Sequence, residues 1–450
     1  MKSIDLILDR FDDLKNNIAI HWNSNSYSYN DLLRKIDEWT IFLEINNINQ
    51  GSVCGFIGDY SPATCSLIFA LMKRKAIIVP LSREVDNRKN NSFKKIAEVE
   101  FFISIDVNDN FNLERISTQK NNLLIRNFLK LNHPGLIVFT SGSSGEPKGI
   151  LHDCENVMSK FVDNRKGWNT ILFLLIDHFG GFNTLISSFA FGGTAICIPN
   201  RNPDVICKII EDTKATLLPT TPTFINMLIA SRSYKKFDLS SIELITYGTE
   251  VMPESTLIKL KQIFPNAKIK QTYGLSELGV LRSKSENDNS VWVKVGGDGF
   301  QTKIINGYLW VKSRSNMVGY LNAENVIGDD GWMNTGDQVE VNGDYIKILG
   351  RKSEMINIGG QKVFPIEIET ILLEDENIID VTVFGVNHSI MGKVLHANVS
   401  LKNDEDPLEL KDRLRRICVH KLENWKVPLR FNIISNDIQH NERYKKIRNL

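Results

Sequence analysis

The chain has 450 residues, with 54 basic and 53 acidic side chains and a formal net charge of +1. Its composition is 42% hydrophobic and 24% charged, which is ordinary for a soluble protein with room for a large domain and a small one. The even charge balance excludes the basic footprint of a nucleic-acid-binding protein and a polybasic membrane anchor.

Cysteine usage and apolar runs bear on the compartment. The six cysteines are scattered without a C-x-x-C pair, which predicts reduced, packed thiols. Asp5 and Asp9 interrupt what would be the apolar core of a signal peptide, and the apolar run 170–176 is too short to span a bilayer. We expect a cytoplasmic protein with no stable membrane insertion and no nucleic-acid partner.

The first predicted elements alternate between strand and helix. Residues 27–29 resemble a strand, and Asn30 suits the N-cap of a helix that carries an apolar stripe. A buried strand over 53–57, a helix from Ser61 and Pro62 to about Met72, and a strand over 76–80 follow. This β-α-β alternation predicts an α/β fold with a substantial parallel sheet.

The pattern changes twice further along the chain. A strand–loop–helix rhythm runs from Gly135 to about Glu277, and a β-rich stretch with candidate strands at 291–295, 308–311 and 345–349 follows. After Arg351 the pattern is that of a small α+β unit. We predict an α/β protein with two domains. Residues 1–350 form a large domain of mostly parallel sheets flanked by helices, with a β-rich subdomain, and residues 351–450 form a small, mobile α+β domain.

The most informative segment is 139–149, which carries four hydroxyls, three glycines and Lys148 directly after an apolar run. Glycines let successive N–H groups converge on an anion, hydroxyls add donors, and the lysine supplies a counter-charge. The G-x-x-x-x-G-K-[ST] spacing of a Walker A loop is absent. A plain Gly/Ser surface loop is the alternative, but the strand before it and the Pro-Lys-Gly ending favour a phosphate loop.

This segment resembles the phosphate loop of the adenylate-forming superfamily, which includes acyl-CoA synthetases, firefly luciferase and peptide-synthetase adenylation domains. Further motifs follow in the family's order over nearly the whole chain. The resemblance implies that ATP is held here by the loop residues Thr140, Ser141, Gly142, Ser143, Ser144, Gly145 and Lys148.

Residues 271–277 resemble the family's adenine and magnesium motif. An aromatic ring such as that of Tyr273 can border a purine, and a hard carboxylate such as Glu277 suits Mg²⁺. The segment 247–250 resembles the piece that lines the adenine and acyl pockets. The residues implied for the nucleotide are Gly248, Thr249, Glu250, Gln271, Thr272, Tyr273, Gly274 and Ser276.

The segment 332–337 and the pair Gly350-Arg351 resemble the ribose-binding pieces. Asp337 can accept hydrogen bonds from both ribose hydroxyls, and Arg351 can reinforce them or reach a phosphate. A capped turn would explain an isolated Thr-Gly-Asp equally well. The order of the motifs favours the ribose site.

The segment 350–363 resembles the hinge and the loop beyond it, about which the small domain of family members rotates. Ser353 stands at the hinge position, where relatives often have Asp or Lys, and a small residue can still absorb a backbone rotation. Gly359 and Gly360 would let the loop approach the acyl site, although a plain turn also explains them.

His178 falls where the family often has an aromatic residue or histidine beside the acyl site, together with Gly248 and Gly274. A packed core histidine is an equally good interpretation. The four wall segments (178–185, 218–224, 247–250 and 274–279) show no obvious charged residue for specificity, which favours an uncharged acyl chain or an aryl acid.

Relatives end with a lysine that bridges the carboxylate and the α-phosphate, and the best match here is Lys446, with Lys445 where glycine is usual. A solvated basic tail is the alternative. The catalytic residues implied are Lys446, Lys148 and the metal ligand Glu277.

The resemblance implies an ATP- and Mg²⁺-dependent ligase that makes an acyl-adenylate and transfers the acyl group to CoA. A phosphopantetheine arm on an acyl or peptidyl carrier protein is the alternative thiol. A degenerate member that binds an adenylate without turnover is an alternative of another class. The sequence leaves the carboxylic acid and the oligomeric state open.

Overall fold

The computed structural model describes residues 3–83, 87–141, 146–297, 299–388 and 392–435. Within them the α-helices are, in chain order, α1 (Ser3–Asp13), α2 (Tyr29–Ile45), α3 (Pro62–Lys73), α4 (Asn87–Ile96), α5 (Leu123–Phe128), α6 (Cys154–Met158), α7 (Phe179–Ala190), α8 (Pro203–Thr213), α9 (Pro222–Ser231), α10 (Glu254–Ile263), α11 (Pro365–Leu372) and α12 (Pro407–Lys421). Short 3₁₀ helices cover Leu129–Leu131, Ser159–Phe161, Ser233–Lys235, Lys352–Glu354 and Asn424–Lys426.

The strands follow the same chain order. Those of the first half are β1 (Ile18–Trp22), β2 (Asn25–Ser28), β3 (Val53–Ile57), β4 (Ile77–Leu81), β5 (Phe101–Ile105), β6 (Phe111–Arg115), β7 (Gly135–Ser141), β8 (Pro147–Asp153), β9 (Asn169–Ile171), β10 (Thr194–Ile196) and β11 (Leu217–Thr220). The next are β12 (Leu244–Tyr247), β13 (Lys268–Gln271), β14 (Gly274–Leu275), β15 (Gly279–Val280), β16 (Ser283–Ser285), β17 (Val293–Val295), β18 (Phe300–Ile305) and β19 (Tyr308–Ser313). The last are β20 (Gly319–Tyr320), β21 (Met333–Asn342), β22 (Tyr345–Arg351), β23 (Ile356–Ile358), β24 (Gln361–Val363), β25 (Ile378–His388), β26 (Gly392–Leu401) and β27 (Arg430–Ile433).

Two seven-stranded sheets carry most of the large part of the chain. The first has the order β13-β12-β11-β9-β10-β1-β2 and is parallel except for the β1–β2 hairpin. The second has the order β20-β8-β7-β4-β3-β5-β6, with a parallel centre and antiparallel edges. Helix α7 packs between them, since its residues Phe182, Leu185 and Phe189 belong to the core shared with α1 and α3. The predicted α/β class is confirmed.

A six-stranded antiparallel sheet, β16-β17-β22-β21-β19-β18, forms the predicted β-rich part. Beyond it, β25, β26 and β27 form a three-stranded sheet covered by α11 and α12, and a core from Ile356 to Phe431 fills this unit. A separate C-terminal α+β unit is therefore present. Gly350 marks the transition, because a Cβ there would lie 2.6 Å from the ring of Phe364.

Two local predictions were wrong. The N-cap of α2 is Ser28, two residues before the predicted Asn30, because Ser28 and Asp31 bond each other reciprocally. The phosphate loop does not lead from a strand into a helix. It joins the antiparallel strands β7 and β8, in which Thr140 lies opposite Lys148.

All six cysteines are buried and unpaired, as the sequence predicted. Among the described residues, no helix has both the length and the apolar character needed to cross a bilayer.

Candidate active site

The predicted nucleotide motifs meet at one edge of the first sheet. Strands β12 and β13 are parallel and end at Tyr247 and Gln271, so the segments that follow them emerge side by side. Gly248 is required at this point, since a Cβ there would lie 2.5 Å from Thr272 Oγ1. The Thr272 hydroxyl donates to the Tyr247 carbonyl at 3.0 Å and ties the two loops together. Loops at the carboxyl ends of parallel strands are where α/β proteins bind ligands.

Glu277 lies at the tip of a tight hairpin. Strands β14 and β15 pair Gly274 with Val280, and a Cβ on Gly274 would lie 2.6 Å from the Gly279 carbonyl oxygen. The Glu277 carbonyl accepts from Met317 N at 2.7 Å. The hairpin therefore fixes the backbone at Glu277, whose side chain is half-buried.

Asp337 is the centre of a buried polar cluster. It is 4% exposed, and Tyr273, which is 5% exposed, donates its hydroxyl to Asp337 Oδ2 at 2.5 Å. Arg351 lies opposite Asp337 in the β21–β22 ladder and donates Nε to Asp337 Oδ1 at 2.9 Å. The two predicted ribose residues are thus in contact. Tyr273, which the sequence predicts to border a purine, donates its hydroxyl to this carboxylate, and its ring is buried.

Tyr320 connects two further predicted residues. Its hydroxyl donates to Glu277 Oε1 at 2.7 Å, and Lys148 Nζ lies 5.2 Å from the centre of its ring. Burial and the neighbouring Glu277 raise the pKa of Tyr320, which keeps the hydroxyl protonated as a donor. Lys148, which the sequence predicts to be catalytic, and the candidate metal ligand Glu277 therefore both lie against one tyrosine.

Arg351 electrostatically links the two clusters. Burial lowers the pKa of Arg351, but Asp337, Tyr273 and Glu277 outweigh this effect and raise it. Burial and Asp337 likewise raise the pKa of Tyr273. The result is a permanently charged guanidinium next to two carboxylates, with both tyrosines neutral, which suits the recognition of hydroxyl and phosphate oxygens.

Two of the predicted nucleotide residues, Glu250 and Gln271, have partners within the protein, and a third, Thr249, is exposed. Glu250 Oε2 accepts from Thr223 N and Oγ1, at 3.2 and 2.6 Å, at the start of α9. Gln271 is 5% exposed and lies beside Tyr247 on the face of the sheet that packs on α10. Thr249 is exposed with a φ of +70°, next to Gly248.

The acyl-site and loop residues have these positions. His178 is half-buried and precedes α7 as its N-cap residue, and the α7–β15 contact brings this helix to the Glu277 hairpin. Gly359 and Gly360 form the two-residue turn of the β23–β24 hairpin, with φ values of +57° and +92°. Thr140 ends half-buried opposite Lys148. Residues 142–145, the Ser141 side chain and Lys446 lie outside the described residues.

Two residues that the sequence did not single out support the site. His152 is fully buried, its Nε2 donates to the Ser276 carbonyl at 2.7 Å, and its ring lies 4.6 Å from that of Phe179. Burial lowers the pKa of His152 to about 4, so it is neutral at pH 7. Neither His152 nor Tyr320 belongs to a local pattern. Tyr320 reaches the site through the pairing of β20 with β8, and His152 lies on β8, opposite Leu136 of β7.

The side chain of Glu277 fits the role of a metal ligand. Glu277 Oε2 forms no hydrogen bond in the part of the chain that the structure describes, and no group of three His, Cys, Asp or Glu side chains gathers there for a metal. Mg²⁺ is often bound by one or two carboxylates together with substrate phosphates, so Glu277 fits a metal that arrives with a nucleotide.

Comparison with known families decides the assignment. A family model described as AMP-binding enzyme matches residues 9–321, and a model described as AMP-binding enzyme C-terminal domain matches residues 367–445. The chain belongs to the AMP-binding enzymes. The resemblance to the adenylate-forming superfamily is thereby confirmed.

Several relatives of this AMP-binding enzyme are CoA ligases by name. It is 30% identical over 323 residues to acyl-CoA synthetase 7 of Caenorhabditis elegans, a match that covers 64% of this chain and 59% of the relative. The chain therefore matches about three fifths of that relative's length. It is 25% identical over 433 residues to indoleacetate–CoA ligase of Aromatoleum aromaticum, covering 85% and 84%.

The same fold occurs in the anthranilate CoA ligase AuaEII in complex with anthranoyl-AMP. The TM-score is 0.81 over 97% of this chain and 93% of the other, at 17% identity. At that identity the match shows the shared fold of this AMP-binding enzyme and nothing about its substrate.

Proposed function

We propose that this AMP-binding enzyme is an ATP-dependent acid–thiol ligase that activates a carboxylic acid as acyl-AMP and transfers the acyl group to CoA. The observation that carries the proposal is a pair of hydrogen-bonded groups, Tyr273–Asp337–Arg351 and Glu277–Tyr320, which are coupled electrostatically through Arg351. They supply a buried carboxylate suited to ribose, a guanidinium, and a second carboxylate suited to Mg²⁺. The CoA-ligase names of the relatives support it.

In the first half-reaction a carboxylate oxygen of the acid attacks the α-phosphorus of ATP, and pyrophosphate leaves. This displacement needs positioning and charge neutralisation more than proton transfer. Asp337 accepts from the ribose hydroxyls and Arg351 reinforces it, while Lys148 faces the β- and γ-phosphates. Mg²⁺ held by Glu277 would offset charge on the phosphates. Lys446 is the proposed partner of the transferring phosphoryl group.

In the second half-reaction the thiol sulfur attacks the acyl carbon, the C–O bond to AMP breaks, and the thiol proton goes to solvent. We assign the hinge to Ser353, which is exposed within the 3₁₀ helix Lys352–Glu354, and the domain boundary to residues 350 and 351. Rotation about this hinge would present one face of the small domain to the active site for adenylation and another face for thiol attack. We assign the reaction to the cytoplasm, which the unpaired cysteines support.

The decisive experiment is ATP–pyrophosphate exchange by the purified full chain with Mg²⁺, without thiol, across fatty, aryl, dicarboxylic and amino acids. We expect exchange that depends on one class of acid, followed by CoA thioester formation when CoA is added. Thioester formation with a phosphopantetheinylated carrier protein but not with CoA would assign the alternative acceptor.

ATP binding without exchange for any acid would overturn the ligase and favour a non-catalytic adenylate binder. Glu277→Gln provides the internal check. It should reduce exchange strongly and weaken its dependence on Mg²⁺, because the amide replaces a charged oxygen ligand.

A further inference from the structure

A cavity of about 340 Å³ lies between helix α7 and the first sheet, away from the nucleotide cluster. Its lining includes Ser187 of α7, Thr170 of β9, Leu217 of β11 and, at its mouth, Arg165 and Lys166. We propose that this cavity and the neighbouring Lys270 bind a second anionic group at the far end of the carboxylic acid substrate. This inference rests on the proposed ligase function and names the class of its acid.

The same elements form walls of the cavity and of the proposed acyl pocket, and we place the cavity at the far end of that pocket. Helix α7 begins after His178, β11 leads into the wall segment 218–224, and β13 leads into Gly274. Parallel pairing sets Leu217 beside Leu244 and Lys268, and Pro219 beside Thr246 and Lys270. Since side chains alternate along a strand, these residues share one sheet face. Thr170, paired with Leu217, lies on that face, which α7 covers.

Lys270 is the charged residue of this wall. It is half-buried, whereas Lys268, two residues earlier on the same face, is exposed. Within the described ranges the ammonium group of Lys270 forms no ion pair or hydrogen bond. An unpaired ammonium group in a partly dry wall is costly unless a bound anion neutralises it.

Cations outnumber anions around the cavity. Arg165 and Arg282 share one exposed carboxylate, Asp163, at 3.9 and 3.5 Å, and Lys166 pairs with the exposed Glu243. Lys160 donates to the Val280 carbonyl at 2.9 Å and has no acidic partner in the described part of the chain. Arg165 and Lys166 line the cavity, whereas Lys270, Arg282 and Lys160 lie near Arg165. The carboxylates paired with this group of cations are those of Asp163 and Glu243, and both are exposed.

The pKa shifts agree with this charge imbalance. Burial lowers the pKa of Lys270, and the neighbouring Arg165 lowers it further. Burial also lowers the pKa of Lys160 to about 7, with Arg165 and Arg282 contributing. Both lysines are cations without a counter-ion among the described residues. An anion bound between them would offset the repulsion from Arg165.

The positions of the cations determine the distance between the two anionic groups of the acid. Lys270 lies two residues before Thr272, a distance of about 7 Å along a strand. Ser187 lies nine residues after His178, about 13 Å along the helix. The substrate is therefore an acid whose second anionic group stands about 7 to 13 Å from the reacting carboxylate, as in a medium-length or aryl dicarboxylic acid. The sequence-based expectation of an uncharged acyl group overlooked Lys270, because β13 ends just before the wall segment 274–279.

The test is ATP–pyrophosphate exchange without thiol, using α,ω-dicarboxylic acids of graded length and monocarboxylic acids of matched length. We expect at least a tenfold preference in kcat/KM for one dicarboxylate. Lys270→Met keeps the length of the side chain and removes its charge. It should raise the KM of that dicarboxylate at least tenfold and improve the matched monocarboxylate. Lys268→Met, on the same face but exposed, is the control and should retain the wild-type preference.

Each other outcome is informative. Wild-type exchange that favours monocarboxylates, or a Lys270→Met variant that exchanges normally with the same preference, overturns the inference and leaves the ligase standing. If Lys270→Met and Arg165→Gln change only the KM of CoA in the complete reaction, the cations serve the phosphates of the thiol substrate, which also overturns it. Absence of exchange with every acid removes the proposed function and the inference with it.

Discussion

At the scale of single residues, Asp337 depends on Tyr273 for its orientation. The tyrosine hydroxyl holds one carboxylate oxygen at 2.5 Å, and Arg351 holds the other. Removing the hydroxyl in Tyr273→Phe costs about 1.5–3 kcal/mol for a bond to a charged group. We expect the KM for ATP in pyrophosphate exchange to rise about tenfold, since 1.4 kcal/mol corresponds to a factor of about ten.

The matched control is Tyr29→Phe. Tyr29 is equally buried and donates its hydroxyl to the Gly193 carbonyl at 2.7 Å, far from the nucleotide motifs. It should lower thermal stability while the KM for ATP stays at the wild-type value. If the two variants have the same KM for ATP, Tyr273 does not contribute to nucleotide binding.

His152 should make stability depend on pH. Its pKa falls from 6.5 to about 4 on folding because the ring is buried. Below about pH 6.5 the unfolded chain binds a proton that the folded chain does not bind, so acidification lowers the free energy of unfolding, by about 2 kcal/mol at about pH 5. Urea unfolding at pH 7 and 5 should show a smaller acid loss in His152→Gln, whose amide can still donate to Ser276.

His420, exposed on α12, supplies the control for this measurement. His420→Gln should retain the full wild-type loss between the two pH values. If His152→Gln loses as much stability on acidification as the wild type, the buried imidazole is not the group that titrates.

At the scale of elements, local signals predicted the strands and helices that are strongly patterned. The helix starting at Ser61 and Pro62 and the strand over 53–57 are both present, because caps and apolar runs act locally. The start of α2 was missed because Ser28 and Asp31 form a capping box ahead of Asn30. The hairpin of the phosphate loop was missed because pairing of β7 with β8 depends on the rest of the sheet.

The same distinction explains the candidate site. Tyr273, Glu277 and Asp337 belong to motifs that are continuous in sequence, and the structure brings them together. Tyr320 enters through a two-residue strand, and Lys270 is marked only by its face of β13. Residues that act through register or long-range pairing carry no local signature.

The 3₁₀ helix Lys352–Glu354 is the element on which the proposed domain rotation depends. In Ser353→Pro the ring fixes φ and restricts Lys352, so the hinge keeps one conformation. A hinge held in one conformation keeps the two domains in one relative orientation, which serves only one half-reaction. We therefore expect the rate of one half-reaction to fall at least about tenfold while the other persists. Pyrophosphate exchange and thiol-dependent release of AMP from a supplied acyl-adenylate measure the two separately. Ser353→Ala, which leaves φ free, should preserve both, and equal loss in both assays would argue against a hinge.

At the scale of the whole molecule, two units with separate cores divide the proposed chemistry. The large unit supplies Asp337, Glu277 and Tyr320, whereas the core from Ile356 to Phe431 belongs to the small unit. The transition is narrow, because Gly350 lets the Phe364 ring pack directly against the last strand of the large unit. Under the proposed function, we expect a residue of the small unit to complete the adenylation site.

Lys446 is the residue proposed to contact the α-phosphate. Single-lysine variants distinguish this role from a general effect of a basic tail. Lys446→Ala should reduce pyrophosphate exchange by about 10²–10³, the usual cost of one preorganised charge contact. Transfer of the acyl group from a supplied acyl-adenylate to the thiol should stay near the wild-type rate, because that step no longer needs a counter-charge at the α-phosphate. Lys445→Ala removes a neighbouring charge of the same kind and should change neither rate. Equal losses in the two variants would mean that the charge of this segment matters and no single lysine does.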